Sequence, residues 1–179
     1  MGILAYVLSI TGLILMITAS LIKGKQIKKI LILAFSGNFL TATSYLIGSG
    51  INGAASCYLG SAQTIINYFF DSKNKPIPKW LHFVYAISFI VVNIAVAGGI
   101  SGLGLLAIVA SLTYIVCIGQ KSGTMYRFWT IVNMLLWCTY DIISKSYAVL
   151  LMHTALLLFT VIGMIIHDTK KTNKKDVTL

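Results

Sequence analysis

Acid is what this chain has least of. Its 179 residues include four Asp and Glu side chains against fourteen Lys and Arg, with two prolines and three cysteines. Each shortage excludes something. The four acids, Asp71, Asp141, Asp168 and Asp176, fall at the ends of apolar segments or in the C-terminal tail. The sequence therefore predicts no buried carboxylate for acid–base chemistry. HExxH, GxSxG and paired acids within the apolar segments are also absent, so no enzyme is expected. Cys57, Cys117 and Cys138 lie inside apolar segments and show no CxxC spacing. They read as small packing residues, and no metal, disulfide or cofactor is expected. Both prolines, Pro76 and Pro78, stand in DSKNKPIPK (Asp71 to Lys79), which leaves no proline hinge inside any apolar helix.

What is present is apolar length. Hydrophobic residues make up 58% of the chain and charged residues 10%, and the mean hydropathy is +0.89. A soluble domain has nowhere to hide that much apolar surface. A membrane span needs about 20 apolar residues to cross a core of roughly 30 Å. Charge clusters and glycine-rich breaks divide the chain into seven such segments: roughly Ile3–Ile22, Lys28–Gly48, Gly53–Phe70, Trp80–Gly98, Leu103–Gly119, Met125–Ser144 and Tyr147–Ile166. The expected fold is an all-α integral membrane protein with seven transmembrane helices. The first apolar run lacks a basic n-region and suits a retained helix rather than a cleaved signal peptide.

The net charge of +10 argues for a membrane and against nucleic acid, because of where it lies. Lysines cluster after the first, third and seventh segments, Lys121 and Arg127 fall in the turn QKSGTMYR after the fifth, and Lys145 alone falls on the other side. The positive-inside rule then puts the N-terminus outside and the C-terminus in the cytoplasm. The tail KKTNKKDVTL is expected near anionic lipid headgroups.

Polar residues recur at helical spacing. Asn38, Thr41, Tyr45 and Ser49 share one face of the second segment; Ser56, Gly60, Gln63 and Asn67 share one face of the third. The sixth carries Tyr126, Trp129, Asn133, Trp137 and Tyr140 at steps of three and four, and Asp141 and Lys145 sit an i,i+4 pair apart at its external end. A mid-depth amide is costly in lipid unless it is paired or lines a site. The candidate solute-binding residues are therefore Asn38, Tyr45, Gln63, Asn133, Trp137 and Tyr140, with His153 of the seventh segment. Amides that clamp helices and aromatics that fill a core would use the same residue types.

A shift of 95 positions lays the first three segments on the last three. Asn38 then meets Asn133, Tyr45 meets Tyr140, Ser49 meets Ser144 and Gly24 meets Gly119. Two three-helix repeats in one orientation need an extra crossing between them, and the fourth segment supplies it. The expected organisation is a first bundle over 1–71, a cytoplasmic linker and linker helix over 72–99, a second bundle over 100–168, and a basic cytoplasmic tail over 169–179. The partners expected are a small-molecule solute and membrane lipid, with homo-oligomers compatible and nucleic acid excluded.

The stretches LLAIVASLTYIVCIGQKSGTMYR (Leu105 to Arg127) and GAASCYLGSAQTIINYF (Gly53 to Phe69) resemble the bacterial inner-membrane YgjV family. The resemblance extends from about Ala5 to Ile166 and implies an inner-membrane location. The 3+1+3 plan is more distantly similar to the SWEET sugar carriers and PnuC vitamin transporters, which implies a site between the repeats near mid-membrane. Two departures stand against that likeness. The chain lacks the intramembrane proline of SWEET carriers, which leaves Gly12, Gly37 and Gly60 as places to bend. Its matched asparagines also fall on the second helix of each repeat rather than the third.

Overall fold

A computed structural model describes residues 3–23, 26–47, 51–97, 102–143 and 147–169. Its order is α1 (Ile3–Leu21), α2 (Ile27–Ile47), α3 (Ile51–Ser72), α4 (Lys79–Ala97), α5 (Gly102–Ile118), α6 (Gly123–Ile143) and α7 (Tyr147–Met164), closed by a π-helical turn over Ile165–Thr169. No strand occurs among the described residues. The seven helices run from 17 to 22 residues, or about 26 to 33 Å at 1.5 Å per residue, the depth of a bilayer core. Helix is what such a segment must form, since lipid offers no partner for a backbone N–H or C=O. Ser49, Ser144, Gly24, Lys145 and the tail beyond residue 169 lie outside the described residues, and with them the proposed Asp141–Lys145 pair.

Four of the helices are long and apolar enough to cross a membrane on composition: α1, α2, α4 over Lys79–Val96, and the last over Val149–Asp168. Helix α5 is apolar but one turn short of a typical span. Helices α3 and α6 fall below that mark because of what they bury. Ser61, Gln63, Thr64 and Asn67 of α3 and Arg127, Thr130, Asn133 and Asp141 of α6 are all sealed from the surface. Large apolar residues instead face out, with Leu151 73% and Phe83 69% exposed. Polar groups inside and apolar groups outside is the pattern expected of helices whose solvent is hydrocarbon.

Consecutive helices pack on one another in a series, α1 on α2, α2 on α3, α5 on α6 and α6 on α7. The series closes where α1 meets α7, while α4 fills between α3 and α5. At the α1–α2 crossing the backbones touch. A Cβ added at Gly12 would come within 2.8 Å of the Gly37 carbonyl, and one at Gly37 within 2.9 Å of the Gly12 carbonyl. Both helices run unbroken through these positions, so here the glycines serve close approach rather than bending. Gly37→Val should therefore lower stability by about 1 to 3 kcal/mol through overpacking. Heat unfolding in detergent micelles measures it, and an unchanged midpoint would remove the close crossing.

The linker after α3 ends that helix with a Schellman cap. Asn74 adopts a left-handed φ of 52°, its N–H bonds the Asp71 carbonyl at 3.0 Å, and the Lys75 N–H bonds the Phe70 carbonyl at 2.9 Å. Asn tolerates that backbone better than most residues, and Pro76 directly beyond prevents the helix from resuming. Trp80, 65% exposed, then starts α4 as an interfacial anchor does.

At the lysine-bearing end an apolar cluster seals the bundle. Ala19, Ile27, Ile30, Leu31, Cys117, Ile118 and Tyr126 are buried together. Beside it lies the largest correction to the sequence reading. Arg127, expected in a cytoplasmic turn, is inside α6 and fully buried. Its Nε donates to Asp168 Oδ2 at 2.9 Å and its Nη2 to Oδ1 at 2.8 Å. Its Nη1 donates to the Ile22 carbonyl at 2.8 Å. Thr124 Oγ1 donates to the same carboxylate at 2.7 Å, and His167 Nε2 to the Leu21 carbonyl at 2.7 Å. A guanidinium can be buried here because it neutralises a carboxylate and also caps the open carbonyls at the end of α1. Sequence spacing could not show this, since the partners are over forty residues away on one side and over a hundred on the other.

Candidate functional site

A cavity of about 430 Å³ lies between the helix halves remote from the lysine loops. All seven helices contribute to its wall. Asn38, Tyr45, Asn133, Trp137, Tyr140 and His153 line it, so six of the seven candidate residues come together. Gln63 does not. It is buried and has no part in the wall. Both its side-chain polar atoms lack a hydrogen-bond partner. Helical spacing from Ser56 and Gly60 predicted the face correctly; the cavity ends before position 63.

Leaving an amide buried and unmatched costs about 1 to 3 kcal/mol for each lost partner. Gln63→Leu, close in volume, should therefore raise the unfolding midpoint in detergent, by an amount corresponding to about 1 to 3 kcal/mol. A lower midpoint would mean that the amide has partners.

Asn38 and Asn133 hold helices together on one side and face the cavity on the other. Asn133 Nδ2 donates to the Ala110 carbonyl of α5 at 2.6 Å. Asn38 Nδ2 donates to the phenol of Tyr114, which shares a further bond of 2.9 Å with Thr64 Oγ1. Gly60 makes room for that phenol, since a Cβ there would approach the Tyr114 ring to 3.0 Å. A third link crosses α3, α4 and α5, with Ser56 Oγ donating to Asn93 Oδ1 and Asn93 Nδ2 to Ser111 Oγ, each at 3.4 Å. Among the described residues no bond uses Oδ1 of Asn38 or Asn133, so each amide keeps an acceptor for something in the cavity.

Aromatic rings form one wall. Trp137 and Tyr140 meet edge to face with centroids 5.4 Å apart, and the imidazole of His153 lies 5.9 Å from Trp137 at 31°. The same wall holds a second correction. Asp141, expected at an exposed helix end, is only 2% exposed and lines the cavity. His153 Nδ1 donates to its Oδ2 at 2.7 Å. A carboxylate is tolerated there because it is paired with His153 and faces the cavity rather than lipid. The expectation that no carboxylate is buried therefore does not hold. A signal was available: Asn133, Trp137 and Asp141 are spaced by four and four on one helical face. Tyr114, Asn93 and Ser111 also line the cavity, and their isolated positions in apolar segments gave little reason to select them. Among the described residues no three His, Cys or Asp side chains gather as metal ligands.

The model of a family described as bacterial inner membrane protein, Imp-YgjV, matches residues 3–171. That is nearly the whole chain. The chain belongs to the YgjV family of bacterial inner membrane proteins. No curated protein and no solved structure matches it. Membership agrees with the outward-facing apolar surface, and it extends the resemblance carried by Gly53–Phe69 and Leu105–Arg127 across α1 to α7. The site of this YgjV-family chain is built from the two cavity-lining amides, the aromatic wall and the Asp141–His153 pair.

Proposed function

We propose that this chain carries or facilitates passage of a small polar or aromatic-stackable solute, of sugar, nucleoside or vitamin type, bound in the central cavity. The observation behind the proposal is one cavity of about 430 Å³ reaching both Asn38 and Asn133. Pockets for small ligands fall between about 300 and 1,000 Å³ and combine an apolar wall with a few polar groups. Asn gives donor and acceptor capacity, and Trp137 with Tyr140 gives a surface for stacking. A scaffold has no use for such a space. Its case rests on the amide bonds to Ala110 and Tyr114, which suffice as helix clamps.

A parallel 3+1+3 arrangement suits this reading. The α3–α5 and α1–α7 contacts are the two that exchange when the first three helices trade places with the last three. Asn38 with Asn133, and Tyr45 with Tyr140, would then be equivalent residues on opposite sides of one site. With the C-terminus in the cytoplasm, the cavity occupies the external half, and the Tyr126 cluster with the Arg127–Asp168 pair closes the internal one. Solute would leave inward only when that closure parts.

The first experiment is a thermal-shift screen of sugars, nucleosides and vitamins in detergent, followed by uptake of each stabilising solute into proteoliposomes. Asn133→Ala should reduce uptake roughly three- to tenfold, the loss of one hydrogen bond of about 1 kcal/mol. A solute carried equally by wild type and variant would remove the proposed site.

A further inference from the structure

We infer that the Asp141–His153 pair is a proton-binding site in the cavity wall and couples solute passage to the proton gradient across the membrane. The inference rests on the carrier reading for its second half only. Proton binding stands or falls by itself.

Both residues line the cavity, and the Nδ1–Oδ2 distance is 2.7 Å. Asp141 is nearly sealed, while the His153 side chain is 23% exposed. The histidine is thus the half of the pair that water in the cavity reaches. Imidazole is the side chain whose ordinary charge change falls between about pH 5 and 8. The other titratable groups nearby are Tyr45 of α2, Cys57 of α3, Tyr114 of α5, and Cys138 and Tyr140 of α6. Phenols and thiols ordinarily keep their protons over that range. From α1 the wall receives Leu13 and Met16, which do not titrate. Among the described residues no Lys or Arg lines the cavity, and Lys145 lies outside them.

The step balances simply. Hydronium in the cavity gives its proton to His153 Nε2 and becomes water. The imidazolium keeps its Nδ1–H on Asp141 Oδ2, and the site gains one unit of positive charge. Release to water on the other side reverses it. The charge of a site that binds solute therefore depends on whether a proton is aboard, which is what coupling requires. The pair has no counterpart across the 95-residue shift: positions 141 and 153 correspond to Leu46 and Tyr58. One proton site per chain follows.

Trp137 supplies a solute-free readout, since its ring lies against His153 and imidazolium quenches indole emission. The full-length protein in liposomes should lose tryptophan emission in one step as pH falls from 8 to 5. Trp137→Phe and His153→Gln should each abolish that step. Asp141→Asn should retain the step but move its midpoint, because the imidazolium has lost its carboxylate partner. A step unchanged in His153→Gln overturns proton binding, and so does a midpoint unmoved in Asp141→Asn. Coupling is read separately, with a pH dye inside proteoliposomes and a carried sugar, nucleoside or vitamin outside. Solute should acidify the lumen as it enters. Uptake without acidification overturns coupling and leaves the carrier intact; no uptake of any solute overturns the carrier reading and coupling together.

Discussion

Asp168→Asn should destabilise the protein by about 3 to 5 kcal/mol, the cost of leaving one member of a buried ion pair without the other. Arg127 is fully buried and has no route to solvent. Without the carboxylate its charge is opposed only by the Ile22 and Ser20 carbonyls. Arg127→Met should cost slightly less, because Asp168 is 11% exposed and keeps the Thr124 hydroxyl. Exchanging both residues for apolar ones of similar size should recover much of the loss, since the desolvation cost of both charges disappears along with their attraction. Unfolding of the four proteins in detergent micelles completes a double-mutant cycle. A coupling near zero would mean that the pair does not hold α6 to the end of the chain. The same cycle bears on mechanism, because the pair ties α6 and the final π-helical turn to the last turn of α1. Those are the elements whose separation would open the lysine-bearing end of the bundle.

Ala107→Phe should lower uptake of the carried solute by on the order of 10- to 100-fold with no loss of stability. Ala107 lines the cavity from α5, so a ring there occupies space otherwise open to solute. Solute forced against it loses about 1 to 3 kcal/mol of fit, and each 1.4 kcal/mol is tenfold. The host protein is spared because the added atoms enter an existing void, where filling is stabilising rather than strained. Ala107→Val should fall between, with a smaller loss of uptake. Parallel measurement of uptake and unfolding midpoint separates carrier from scaffold: a cavity without function can be filled without consequence. Unimpaired uptake in Ala107→Phe would mean that solute passes elsewhere.

The helices were legible because lipid leaves an apolar run of about 20 residues no other way to satisfy its backbone. Segment ends read from Lys28, Trp80 and Leu103 agree with α2, α4 and α5 to within about one residue, because lysines, prolines and glycines stop a span for reasons local to the chain. The polar face of α6 was legible for a related reason. Asn133, Trp137 and Tyr140 recur at helical spacing, and spacing alone fixes which side chains share a face.

What the sequence could not supply is which face meets which, and how deep each polar group sits. Gln63 shares its face with Ser56 and Gly60, yet the cavity stops short of it. Asp141 looked like the exposed end of a helix and is sealed beside His153. Arg127 looked like part of a basic turn and is the most completely enclosed charge in the described chain. The sequence determined seven helices, their limits and their polar stripes, because those depend on neighbours within one or two turns. Only the tertiary structure decided the partners of Arg127, Asp141 and Asn38, because a buried charge or amide is settled by residues brought from another helix, 12 to 105 positions away.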